Sequence, residues 1–220
     1  MKMKALAALC KKESVYFLYD RDNGNKKPQQ WLGVNGALYV LPDLPYLTEA
    51  HIAALFDVAE SKRGLIIPGD FPENLSGEDT CPGEGVLDPE EITITYGERI
   101  VRPYMTREGL EFINVEYMKP LADYGDYLEL YERRTEGGQL YFAAKNGLVI
   151  VGLIMPVRID EGLVDDMEKL AVQARAAFAL KKERGERQIT APGQMDLAEV
   201  IDANIALTAK RHGMETGDDK

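Results

Sequence analysis

The sequence predicts an α+β fold: two internally duplicated helix–strand–hairpin units with antiparallel sheets, plus a C-terminal helix. Three observations predict it. The stretches WLGVNGALYVLP at 31–42 and YFAAKNGLVIVGLIMP at 141–156 share one pattern of apolar run, Asn-Gly pair, apolar run and closing proline. Upstream, Met3-Lys4-Ala5-Leu6-Ala7 matches Met118-Lys119-Pro120-Leu121-Ala122 at all but one position. Each match is followed by a Tyr-containing strand, at 15–19 and 127–131. Helix, strand and hairpin recur in one order, so copies at about 1–60 and 110–184 are expected to form a duplicated domain over 1–184. Residues 185–220 are left as linker, amphipathic helix and disordered tail.

The first helix is expected over 2–12, with Met3, Leu6, Leu9 and Cys10 on one side and Lys4, Lys11 and Lys12 on the other. The strand at 15–20 ends in an acidic turn, Asp20-Arg-Asp-Asn-Gly24, whose spacing fails an EF-hand: its twelfth residue is Trp31 where a Glu is required. The hairpin at 30–41 should close on Asn35-Gly36 in a type I′ turn, which needs φ > 0 at both turn positions. Thr48 is the expected cap of a helix over 48–60 with Ile52, Leu55, Phe56 and Ala59 inward. His51, in its first turn, has no acid or cysteine at ligand spacing and reads as structural or exposed. A short strand at 64–67 follows.

Residues 70–91 carry eight acids, three prolines and no Lys or Arg. That composition predicts a long acidic mobile loop between the copies, because it offers little apolar surface to offset ordering. Alternation resumes at 92–96, followed by strands at 99–102 and 110–116. The second copy comprises a helix at 117–124, a strand at 127–133 and the hairpin at 141–156. Between the two copies Trp31 and Phe142 should be equivalent, as should Leu6 and Leu121. An amphipathic helix at 160–182 places Leu163, Met167, Leu170, Ala174 and Phe178 inward. The charged stretch 181–187 should break at Gly185. A last helix is expected at 196–211, with Asp196 and Glu199 in capping-box spacing.

The net charge of -11 argues against bulk affinity for nucleic acid, while leaving room for a basic patch on one face. Cys10 and Cys81 lie far apart with no CxxC pairing, as free thiols of a reducing cytoplasm would. The apolar run 5–9 is shorter than the roughly 7–15 residues of an export signal, and no stretch approaches the roughly 20 residues of a membrane span. A cytoplasmic location is therefore expected, without membrane contact.

The repeated helix-and-strand order over residues 1–156, carried by MKALA and MKPLA, resembles the DNA sliding clamp fold. In that family paired sheets face outward and helices line the DNA-facing surface. The resemblance implies that Lys2, Lys4, Lys11 and Lys12 project toward nucleic acid. The peptide Gln194-Met-Asp-Leu-Ala198 is similar to the glutamine-led segment by which polymerase partners dock on bacterial clamps, except that Ala198 stands where a large apolar residue belongs. Gln194, Met195, Leu197, Val200 and Ile201 are the corresponding candidate partner-binding residues. No GxSxG, HExxH or phosphate-cradling glycine loop occurs, and Asp165-Asp166 at i, i+1 cannot converge on one substrate. The expectation is a non-catalytic acidic protein-binding or adaptor module on a clamp-like scaffold. It would bind a protein partner or itself, with no cofactor and no metal. A nucleic-acid-associated clamp-like protein and an enzyme of unrecognised type are the alternatives.

Overall fold

Apolar spacing in the first turns produces α1 (Met3–Glu13), which buries Leu6, Leu9 and Cys10 and stops at Ser14 in the left-handed conformation, φ 54°. The computed structural model describes residues 1–22, 24, 28–41, 44–89 and 92–189. After α1 come β1 (Tyr16–Arg21), β2 (Gln29–Val34) and β3 (Ala37–Val40), an antiparallel meander. The helix capped by Thr48 is short: α2 (Glu49–Leu55) ends before the expected 60, leaving Leu55 and Ala59 exposed. His51 completes its capping box, accepting from Thr48 N–H through Nδ1 at 3.1 Å while Thr48 Oγ1 accepts from His51 N–H. A histidine thus does the work usually given to Glu or Gln.

The expected short strand is β4 (Ile66–Asp70), and it pairs parallel to β1, so the large sheet is mixed and not purely antiparallel. Then follow β5 (Gly85–Leu87), β6 (Ile94–Tyr96), β7 (Arg99–Thr106) and β8 (Gly109–Asn114). The second expected helix is a 3-10 segment, Val115–Tyr127, with Pro120 inside it. After it come β9 (Leu128–Arg134), β10 (Leu140–Asn146) and β11 (Val149–Ile154). The eight-stranded sheet has the order β4-β1-β2-β3-β11-β10-β9-β5, and β6-β7-β8 form a separate three-stranded sheet. The strand expected to lead the second copy, β8, therefore lies outside the sheet of β9–β11.

β3 and β11 meet antiparallel at the centre, with Tyr39 opposite Gly152. Tyr19 opposes Trp31 and Trp31 opposes Val40 in one half; Tyr131 opposes Ala143 and Ala143 opposes Leu153 in the other. Matching Tyr19 with Tyr131, the register sets Trp31 against Ala143, not against the expected Phe142. Trp31 packs on one sheet face, with Leu38, Val40, Tyr141, Ala143, Ile150 and Leu153, and Phe142 on the other. A shift of one residue reverses the face, because strand side chains alternate. The cause lies in the turns. The first hairpin turns on Asn35-Gly36 between Val34 and Ala37, whereas the second turns on Gly147-Leu148 between Asn146 and Val149. Aligning the Asn-Gly pairs misplaces the halves by one.

Neither turn is the expected type I′. Asn35 and Gly36 stay out of the left-handed region, and in the second turn only Gly147 enters it, at φ 61°. Gly36 serves close approach instead: a Cβ there would stand 2.5 Å from the Tyr117 hydroxyl.

The larger core joins α1, α2, the 3-10 segment and the small sheet to one face of the large sheet, with Leu6, Leu121, Phe142, Ile113 and Ile154 fully buried. Lys2 N–H donates to Pro120 C=O at 2.7 Å, tying α1 to the 3-10 segment. The first compact unit ends at Arg158, whereas the sequence reading carries one domain to 184. In the second unit α3 (Glu161–Ile189) runs through Gly185, where a break is expected. Glycine costs about 1 kcal/mol in a helix interior, which good helix formers on either side can offset. Of its expected stripe, Leu163, Met167 and Ala174 are half-buried and Leu170 is exposed. The helix expected at 196–211 and the tail lie outside the described residues. No helix among the described residues is long and apolar enough to cross a membrane.

Candidate functional site

Lys2, which precedes α1, and Lys4, Lys11 and Lys12 on it are all exposed. They form two pairs, one at each end of the helix, separated by about 10 Å along its axis at 1.5 Å per residue. In the first pair Lys2 is answered by acid: its Nζ lies 3.5 Å, and the Met1 ammonium 3.8 Å, from the Asp123 carboxylate. Lys119, on the neighbouring 3-10 segment, is held 2.6 Å from Glu116. The second pair is freer. Lys11 lines a cavity of about 250 Å³ with Lys62, and Asp57 is the acid in that wall. The candidate partner-binding residues Gln194, Met195, Leu197, Val200 and Ile201 lie outside the described residues.

The acidic stretch departs most from expectation. Residues 71–84 cross the second face of the large sheet as an ordered strap. Phe71 packs on Trp31, ring centroids 5.0 Å apart, and Leu75 joins the same apolar cluster. Ser76 N–H donates to the Tyr141 hydroxyl at 3.1 Å, and Asp79 Oδ1 accepts from Ile150 N–H at 2.9 Å. That amide stands beside the irregularity in the β10–β11 register.

Two arginines grip the strap. Arg21 Nη1 donates to Gly77 C=O at 2.7 Å and to the Gln29 side chain, while Nη2 pairs with Glu78. Arg133, whose side chain is 1% exposed, donates to the carbonyls of Ser76, Glu78 and Asp79 and pairs with Glu84 at 2.7 Å. Lys145, also buried, pairs with the other Glu84 oxygen and sits 4.0 Å from the Tyr131 ring centroid. Burial alone would raise the Glu84 carboxyl, but hydrogen bonds from Lys145 and Arg133 outweigh it and hold the group below the usual carboxylate range. The strap lacked apolar content, but buried cations supply what composition does not.

None of Arg21, Arg133, Glu84 or Lys145 emerges as a candidate from sequence. The available signal was complementarity: eight acids without a cation in 70–91, against Glu132-Arg133-Arg134 on a strand.

On the other face burial dominates the titratable groups. It pushes the Cys10 thiol up to about 12 and raises Tyr39 well above its ordinary value. The Tyr39 hydroxyl donates to Tyr117 C=O at 2.7 Å. These are inert core groups, because the thiolate is the reactive form of cysteine. At the tip of the second hairpin, by contrast, Tyr127, Leu148 and Val149 are 75%, 83% and 55% exposed. They are neighbours, since Gly147 N–H donates to Tyr127 C=O at 3.1 Å. At the first hairpin's turn Asn35 is exposed and Tyr117 packs over Gly36.

No family model, curated protein or solved structure matches this chain.

Proposed function

We propose that the chain is a non-catalytic protein-binding module on an internally duplicated, clamp-like scaffold. The equal pairing order of β1–β2–β3 and β9–β10–β11, with a helix packed before each, supports the duplication. So does the burial of Leu6 and Leu121 in one core. The observation that carries the binding role is the bare apolar tip of Tyr127, Leu148 and Val149. Contiguous exposed apolar groups on a folded domain mark contact surfaces, whereas at the first hairpin's tip the exposed residue is the polar Asn35 and Tyr117 packs over Gly36. The partner surface is a protein patch with an apolar centre.

The test is crosslinking in the native host with wild-type protein and with Leu148→Glu. A defined protein that crosslinks to the wild type and is lost with Leu148→Glu supports the role. Identical crosslinked partners for both proteins, or none, would overturn it.

A second reading, association with duplex DNA, is favoured by one observation: Lys11 lines one cavity with Lys62, and neither it nor the exposed Lys12 has a bonded acid among the described residues. Fluorescence anisotropy over a salt series decides it. Binding should weaken steeply with salt, because phosphate contacts release counterions. Binding that is absent at low salt, or unchanged in Lys11→Gln/Lys12→Gln, removes the DNA reading.

A further inference from the structure

Beside the strap lies a cavity of about 360 Å³, far above the roughly 30 Å³ that one water fills in the liquid. Its wall is made by the strap turn, the end of β9, Tyr141 of β10 and Arg107 from the β7–β8 turn. Three arginines and two glutamates line it, a formal excess of one positive charge.

Both glutamates are committed. Glu84 pairs with Arg133 and Lys145, and Glu132 accepts from Arg134 and from Arg107 N–H. Arg134 is further answered by Glu108 at 3.0 Å. The Arg107 guanidinium has no acid partner among the described residues. It lies over Gly85, where a Cβ would come within 3.1 Å of Nη2. A second donor is also unanswered. Tyr141, 1% exposed, accepts from Ser76 N–H, and its own hydroxyl proton meets no acceptor among the described residues. Ser76 Oγ, in the same wall, accepts from the Cys81 thiol and from Glu78 N–H.

A cavity whose acids are all paired, and whose unanswered groups are a guanidinium and a buried phenol, is short of acceptors. We propose that it binds a small oxyanion, a phosphate or carboxylate group, between Arg107 and the Tyr141 hydroxyl. Arg107 supplies charge and a forked donor set suited to such an anion. Tyr141 supplies a neutral donor that cannot leave, since its ring is packed in the strap-side core. The surplus volume leaves room for a group attached to the oxyanion. This site is independent of the apolar tip.

The test is calorimetric titration at constant ionic strength with inorganic phosphate, glycerol phosphate and acetate. Wild-type protein is compared with Arg107→Gln and Tyr141→Phe. Saturable binding of one or more is expected, weakened at least 10-fold by Arg107→Gln and several-fold by Tyr141→Phe. A preference for the phosphates over acetate, or the reverse, names the source of the oxyanion. Absence of saturable binding by all three overturns the site, as does binding that Arg107→Gln retains in full. Arg107 is on an exposed turn, so Arg107→Gln tests the site even if Tyr141→Phe does not fold.

Discussion

Arg21 and Arg133 hold the same short segment from opposite halves of the large sheet. Arg21 reaches the carbonyl of Gly77, and Arg133 reaches those of Ser76 and Glu78 on either side of it. They occupy matching register positions, two residues beyond Tyr19 and Tyr131. Their surroundings differ: the Arg21 side chain is 16% exposed with a partner, Glu78, in open solvent, while Arg133 is 1% exposed.

Unequal burial predicts unequal losses. Arg133→Met should destabilise by about 3–5 kcal/mol, because it leaves Glu84 and several carbonyls with fewer donors at a buried site. Arg21→Met should lose about 1–2 kcal/mol, mostly the Gly77 bond, since exposed ion pairs contribute little. Urea unfolding measures both. Similar losses would mean that the strap is held chiefly by Phe71 and Leu75.

Acid should weaken the same attachment. Glu84 has a folded-state pKa below its unfolded value, so its contribution is present above the unfolded carboxylate pKa, about 4.3. It is lost as pH falls through the depressed folded value. The wild type should therefore lose more stability than Glu84→Gln on going from pH 6 into the acid range. A parallel pH dependence in the two proteins would show that other carboxylates carry the acid sensitivity.

The two thiols should separate cleanly. Cys10 is fully buried and its pKa stands at about 12, while Cys81 is half-buried beside Ser76. At pH 8, iodoacetamide should modify Cys81 in the folded protein and Cys10 only on unfolding, as read by peptide mass spectrometry. Because the Cys10 pKa is raised on folding, its protection favours the fold fully below the unfolded thiol pKa, about 8.5. That contribution falls away as pH rises toward 12. Comparable labelling of both cysteines under native conditions would contradict the burial of α1.

Local periodicity carried the elements well and the long-range geometry poorly. Leu6, Leu9 and Cys10 announce the buried side of α1, and the apolar runs on either side of each Asn-Gly pair announce β2, β3, β10 and β11. What pattern could not carry was which residues form each turn, because Asn35-Gly36 and Asn146-Gly147 are identical in sequence and one residue apart in role. Nor could composition reveal the strap. Its order depends on Arg21, Arg133 and Lys145, which come from distant strands and whose own neighbours in sequence are unremarkable. The oxyanion cavity is equally silent, since Arg107 and Tyr141 meet only through the packing of two sheets.

The two hairpin turns give the sharpest test of that difference. Gly36 lies under Tyr117, where a Cβ would fall 2.5–2.7 Å from the ring and hydroxyl atoms. Gly147 lies in open space, but at φ 61°. Gly36→Ala should thus destabilise by overpacking, about 1–3 kcal/mol, and Gly147→Ala by backbone strain, about 1–2 kcal/mol. The magnitudes overlap, so a double-mutant cycle must separate them. Tyr117→Leu removes the hydroxyl and the ring edge that the new methyl would strike. It should recover a large part of the Gly36→Ala loss, a coupling of at least about 0.5 kcal/mol, and leave Gly147→Ala additive. If Gly36→Ala adds without coupling, Tyr117 does not cover the first turn, and the contrast with the bare second tip is lost.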